Sequence, residues 1–251
     1  MKIVIIGGSG LIGSKLVNRL RERGQDVLAA SPSTGVNTIT REGLAEAMLG
    51  ADTVVDVSNS PSFEDKPVME FFDRSTHNLV AASKAAGISH YVALSIVGLE
   101  RLPDSGYLRA KLAQEKLIRE SGIPYSLLRA TQFFEFLPAI IAGGTEGDTI
   151  RLSSAHFQPI ASDDVVAALA DVVLGAPLNG ATEVGGPERA GMDAFARRFL
   201  AAHGDRRSVI GDPGAIYFGT ALNDRSLTPG PDALIGPTTF DAWLDRDAVA
   251  A

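Results

Sequence analysis

Tyr107 and Lys111 stand four residues apart in the run Tyr-Leu-Arg-Ala-Lys. On a helix that spacing puts a phenol and an ammonium one turn apart on the same face. A phenol with its ordinary pKa of about 10 is a poor acid at neutral pH, and an adjacent cation favours its ionised form, bringing it toward useful acid/base strength. Ser95 follows the apolar run His90-Tyr-Val-Ala-Leu94, a strand end from which a hydroxyl can bond a carbonyl oxygen. A second chemical signal lies at the start of the chain. Lys2-Ile-Val-Ile-Ile-Gly7 breaks into glycines at positions 7, 8, 10 and 13 and continues as Ser14-Lys-Leu-Val-Asn-Arg-Leu20. This is a buried strand, a tight turn and a helix start, whose free N–H groups and positive dipole receive an anion such as a nucleotide phosphate. Ser9 can add a hydroxyl to that cradle. The spacing Gly7-x-x-Gly10-x-x-Gly13 is one residue wider at its first gap than the usual dinucleotide fingerprint.

The elements that position these residues repeat along the chain. Strand-like runs at 2–6, 26–30, 53–57, 90–94 and 124–129 alternate with helical patterns at 11–23, 41–49, 66–86 and 105–121. Alternation of this kind with continuous apolar strands predicts an α/β doubly wound parallel sheet, a Rossmann fold, with helices on both faces. Ligands in such sheets sit beyond the carboxyl ends of the strands, so the residues just after each strand are the candidates. A further strand is expected at 157–161 and a helix from Ser162 and Asp163. The stretch 212–237 reads as irregular covering structure, and Phe240, Trp243 and Leu244 as the anchor of a terminal helix. The expectation is one domain over 1–251 with a small C-terminal lobe, its substrate-covering elements at about 133–157 and 185–251.

Composition narrows the function classes. A net charge of −7 argues against nucleic-acid binding, which needs clustered Lys and Arg. The chain has no cysteine, so disulfides, thiol catalysis and cysteine-ligated metals are excluded. Its four histidines show no ligand spacing, and no metal is assigned. No apolar run approaches the roughly 20 residues of a membrane span and no leader pattern precedes the first strand, so a soluble, cytoplasmic protein without membrane partners is expected.

Taken together, the glycine motif at 7–13, Ser95, and Tyr107-x-x-x-Lys111 resemble the short-chain dehydrogenase/reductase superfamily. The wide glycine spacing, Ala51-Asp-Thr-Val-Val55, Ile123-Pro-Tyr-Ser-Leu-Leu-Arg129 and Pro159-Ile-Ala-Ser-Asp-Asp-Val165 resemble its extended and atypical, NmrA-like branch. The resemblance covers most of the chain to about residue 190. It implies that Tyr107 exchanges the proton, Ser95 orients the substrate oxygen, and Lys111 tunes Tyr107 and bonds the nicotinamide ribose. Cofactor contacts are expected from Gly7, Ser9, Gly10, Leu11, Ile12 and Gly13, from Ser31, Ser33 and Thr34 after the second strand, from Ser58 and Asn59 after the third, and from Lys111, Thr131 and Phe133. Asn78 lies in the helix from which many members supply an asparagine, and it is left out of the expected site.

No Asp or Glu follows the second strand to bond a ribose 2′-OH, and the hydroxyls of Ser31, Ser33 and Thr34 are read as favouring NADP(H), with NAD(H) also usable. Phe133, Phe134 and Phe136 read equally as core or as the wall of a hydrophobic substrate pocket, to which Phe157 is also assigned. The function expected is an NAD(P)H-dependent ketone or quinone reductase acting on a hydrophobic, polycyclic aromatic, polyketide-like substrate. The alternatives are a dinucleotide-binding redox sensor without turnover and a nucleotide-sugar epimerase or dehydratase.

Overall fold

A computed structural model describes the backbone of residues 1–250 and the side chains of residues 1–246. The chain divides into two compact units: Met1–Ile96, Gly106–Arg129 and Val165–Thr182 form the first, and Val97–Ser105, Ala130–Asp164 and Glu183–Ala251 the second.

In chain order the first elements are β1 (Lys2–Ile6), α1 (Leu11–Glu22), β2 (Asp26–Ala30), α2 (Leu44–Met48), β3 (Thr53–Asp56), α3 (Asp65–Ala86), β4 (His90–Ile96), α4 (Gly106–Glu120) and β5 (Tyr125–Ala130). β1 pairs in parallel with β2, Ile3 facing Val27, and with β3, Ile3 facing Thr53, while β3 pairs in parallel with β4. The order β5-β4-β3-β1-β2 reverses between β1 and β3, and a crevice at such a reversal is where this sheet class takes its ligand. Ile3, Val4, Ile5 and Ile6 of β1 are all buried, as a strand covered on both faces requires. One core cluster joins Val4, Ile6, Met48, Val54, Leu79, Tyr91, Ile118 and Leu127. α2 is shorter than the sequence pattern predicts, because Arg41 and Gly43 both take positive φ, 71° and 64°, and helical backbone begins only after them.

The chain continues with α5 (Leu137–Gly143), β6 (Thr145–Glu146), β7 (Thr149–Leu152), β8 (His156–Phe157), α6 (Ser162–Leu174), β9 (Gly180–Gly185), β10 (Ala190–Gly191), α7 (Met192–Ala202), β11 (Ser208–Gly211), β12 (Ile216–Tyr217), β13 (Thr220–Ala221), β14 (Leu234–Ile235) and α8 (Phe240–Ala250). The strand expected over 157–161 stops at Phe157. Pro159 has no N–H to give a ladder, and Ile160 makes only a single bridge to Phe133. In the second unit β6, β7 and β11 form a small sheet, and β14 pairs with Val184 and Gly185 of β9. Its core is aromatic: Phe134 packs 5.0 Å from Phe240 and 5.5 Å from Trp243, and Phe195 5.2 Å from Phe240. The residues expected to cover substrate, 133–157 and 185–251, all belong to this unit. No helix among the described residues is long and apolar enough to cross a membrane.

Candidate functional site

The glycine turn between β1 and α1 is built for close backbone approach. Gly7 takes φ +81°, its N–H and that of Gly8 both bond Ala30 O, and a Cβ on Gly7 would lie 2.9 Å from Ser58 N. A Cβ on Gly13 would overlap Gly7 O. α1 begins after Gly10 with no side-chain cap and no acidic residue in its first turn, so its leading N–H groups meet no competing side-chain anion. Ser9, Gly10 and Leu11 are exposed at this rim, while Ile12 packs inward.

Ser58 and Asn59 follow β3 on the other side of the turn. Asp56, buried at the end of β3, accepts from Ser58 N at 3.0 Å and Ser58 Oγ at 2.6 Å. Asn59 Oδ1 accepts from Tyr107 Oη at 3.0 Å. α3 and α4 are joined where Val68, Phe72 and Ala110 pack together, and Tyr107 lies against that cluster, with its ring 5.3 Å from Phe63 and 6.0 Å from Phe72. Gly106 starts α4 against Asp65, whose carboxylate occupies the space a Cβ there would take. The helix therefore brings Tyr107 and Lys111 into the same unit as the glycine turn and Asn59.

Lys111 is almost fully buried. Its Nζ donates to Leu94 O at 2.9 Å and to Gln114 Oε1, and lies 4.7 Å from the centre of the Phe72 ring. Burial lowers its pKa from 10.5 to about 8, with the Asp56 and Glu115 carboxylates opposing the drop. Tyr107 departs from expectation: burial pushes its phenol up to about 12, against the smaller opposing effect of the Asn59 hydrogen bond. The lysine does not bring this phenol toward neutral strength, and Tyr107 stands as a protonated donor.

Ser95 also differs. Its hydroxyl donates to Glu115 Oε1 at 2.6 Å and is buried, so its one proton is committed inside the protein and not presented to a substrate oxygen. Glu115 further accepts from Arg129 Nε at 2.8 Å and Nη2 at 2.7 Å, and from Arg119 at 3.2 Å. Burial acts to raise its carboxyl, but Arg129, Ser95 and Arg119 hold it below the usual range. Asn78 is a structural staple, donating to Thr38 O at 2.7 Å and accepting from Arg41 Nε at 2.6 Å.

The hydroxyls after β2 are turned to local work. Ser31 Oγ pairs with Ser33 Oγ at 2.8 Å, and Thr34 Oγ1 donates to the backbone and caps Ser31 N at 2.9 Å. In the second unit, Thr131 is buried with Oγ1 unpartnered. Phe133 stacks on Phe136 at 5.4 Å, and Phe136 is 45% exposed. Phe134 and Phe157 do not serve as a pocket wall. They are 0% and 1% exposed, and Phe157 packs 5.8 Å from Phe195, so both are core. Sequence reading missed Asp56, Gln114 and Glu115 as partners of the site. The available signal was the i+3 and i+4 spacing of Gln114 and Glu115 from Lys111 on one helix.

Among curated relatives, the (4-alkanoyl-5-oxo-2,5-dihydrofuran-3-yl)methyl phosphate reductase of Streptomyces griseus is 28% identical over 144 residues, covering 52% of this chain and 48% of its own. The divinyl chlorophyllide a 8-vinyl-reductase of Cucumis sativus is 26% identical over 226 residues, 75% of this chain and 53% of its own. The chain thus spans about half the length of these relatives. Two solved structures share the fold. One is a short-chain dehydrogenase/reductase superfamily protein from Agrobacterium tumefaciens with bound NAD, with a TM-score of 0.76, 18% identity, and coverage of 100% of this chain and 97% of the other. The other is a DesIV double mutant, a dTDP-glucose 4,6-dehydratase from Streptomyces venezuelae with NAD bound, with a TM-score of 0.79, 17% identity, and coverage of 99% and 96%. The NAD in these structures overturns the expected preference for NADP(H). The hydroxyls of Ser31, Ser33 and Thr34 are engaged with one another and with the local backbone. The family model described as NAD(P)H-binding matches residues 7–174, and the chain belongs to that NAD(P)H-binding family.

Proposed function

We propose that this protein is an NAD(H)-dependent oxidoreductase that moves a hydride between the nicotinamide and a small molecule, with Tyr107 exchanging the proton. The observation that carries it is the placement of Tyr107 and Lys111 on α4, in one unit with the glycine turn and with Tyr107 bonded to Asn59 beside it. In this reading Gly7, Ser9, Gly10, Leu11, Ile12, Gly13, Ser58 and Asn59 hold the dinucleotide, and Lys111 bonds the ribose. The bound cofactor supplies the hydride. Tyr107, held protonated by burial, delivers its proton to the oxygen that gains charge as hydride arrives. Ser95 acts through Glu115 in holding α4 against β4.

For the substrate, the sequence reading of a polycyclic aromatic ketone or quinone, within the NmrA-like branch, now rests on Phe133 and Phe136, since Phe134 and Phe157 are core. A nucleotide sugar is the better supported substrate class, because similar solved structures spanning nearly the whole chain are named with UDP-glucose or as dTDP-glucose dehydratases. The test is a turnover panel with NADH or NAD and a UDP-sugar, a dTDP-sugar, an anthraquinone and a small aliphatic ketone. Sugar conversion without net NADH loss supports an epimerase or dehydratase, and NADH oxidation by the anthraquinone supports the reductase. Tight NADH binding with no turnover of any member across the panel favours a dinucleotide sensor.

A further inference from the structure

Gln114 joins two charged groups that lie far apart in the sequence. Its Nε2 donates to Asp56 Oδ2 at 2.9 Å and its Oε1 accepts from Lys111 Nζ. A carboxylate only accepts and an ammonium only donates, so the orientation of the amide between them is determined by chemistry. Gln114, Asp56 and Lys111 are all buried. Asp56 in turn accepts from Ser58, whose backbone lies against Gly7. A continuous chain of contacts therefore runs from the glycine turn through Ser58, Asp56 and Gln114 to the Lys111 ammonium.

We propose that Gln114 is a positioning residue for cofactor binding, an amide bridge between Asp56 and the Lys111 ammonium that, together with Leu94 O, fixes the direction of the ammonium's remaining N–H. An ammonium has three donors, and two are engaged by Leu94 O and Gln114 Oε1. With those two directions set, the third is set as well. The charged groups acting on Lys111 come from two elements, Asp56 from β3 and Glu115 from α4; Tyr91 of β4 donates to the same Asp56 carboxylate at 3.4 Å, and the Leu94 carbonyl and the Phe72 ring complete the lysine's surroundings. Through Gln114 the negative end of Asp56 is passed to the lysine by hydrogen bonds. A hydrogen bond to a charged group of this type is worth roughly ten- to a hundredfold in an equilibrium constant. Its loss lowers the lysine's hold on its proton by a similar factor.

This inference rests on the reading of Lys111 as a ribose-binding residue, and the experiment separates the two. NADH affinity is measured by nicotinamide fluorescence from pH 6 to pH 10 for the unmutated chain, Lys111→Met and Gln114→Met. The unmutated chain should lose affinity above about pH 8, and Lys111→Met should be weak and flat with pH. Gln114→Met should bind about tenfold more weakly at neutral pH, with its alkaline fall moved down by about one unit. A Lys111→Met profile like that of the unmutated chain overturns the reading of Lys111. A flat Lys111→Met profile together with an unmoved midpoint and affinity in Gln114→Met overturns the role of Gln114. Side-chain ¹⁵N NMR of the unmutated, lysine-labelled protein tests the bridge without mutation. A slowly exchanging Lys111 ammonium signal is expected, and exchange as fast as that of the exposed lysines overturns the bridge.

Discussion

Tyr107 Oη donates a hydrogen bond to Asn59 Oδ1 at 3.0 Å, tying the helix that carries the phenol to the loop that follows β3. The phenol is thus held as a proton donor with its ring packed on Phe63 and Phe72. Replacing Tyr107 by Phe keeps the ring and removes only the transferable proton and this bond. Turnover of whichever substrate the panel identifies should fall about 10²- to 10⁴-fold while NADH affinity changes little. Near-normal turnover by Tyr107→Phe would remove it from the proposed chemistry.

Lys111 makes stability depend on pH in a stated direction. Its folded pKa of about 8 lies below its ordinary 10.5, so the unfolded chain holds more protons between those values and stability rises with pH across that window. The full effect is roughly 3 kcal/mol, from about 1.4 kcal/mol per pKa unit. Urea unfolding at both ends of the window should show this rise in the unmutated chain and its absence in Lys111→Met. Equal pH dependence of the two would contradict the burial of a titrating ammonium.

Gly13 of the turn and Gly24 just after α1 differ in what surrounds them. Gly13→Ala places a methyl into Gly7 O and should abolish detectable NADH binding. Gly24 has a similar positive φ to Gly7, +75°, and nothing within 4 Å of a built Cβ. Gly24→Ala should therefore cost only about 1 kcal/mol of stability and leave the Kd for NADH alone. Titration of both variants checks the contrast.

Phe134 and Phe136 are two residues apart with opposite roles. Phe134→Ala empties a fully buried site beside Phe240 and Trp243 and should cost about 3–5 kcal/mol. Phe136, exposed and stacked on Phe133, should cost under about 1 kcal/mol when cut to Ala, and any effect should appear in the KM for substrate. Denaturation and kinetics of the pair decide it, and a destabilised Phe136→Ala would place that ring in the core.

The order of strands and helices in the first unit was legible in the sequence because local pattern and global burial agree there. β1 reads as an apolar run because both its faces are covered, and the glycines follow because the backbone must turn and close within contact of Ser58. Tyr107 and Lys111 were legible because a four-residue spacing on a helix is a local property. The partners of these residues were decided only by tertiary structure. Ser95 turns to Glu115 and Lys111 to Gln114 because burial leaves their polar groups no water, and each must find whatever complementary group β3, β4, β5 or α4 brings within reach. The sign of the Tyr107 shift likewise depends on how deeply Phe63 and Phe72 bury the phenol, which spacing does not encode. The aromatic run 133–136 shows the same limit: core and surface phenylalanines are the same residue type, and the packing of α7 and α8 in the second unit assigns Phe134 to one and Phe136 to the other.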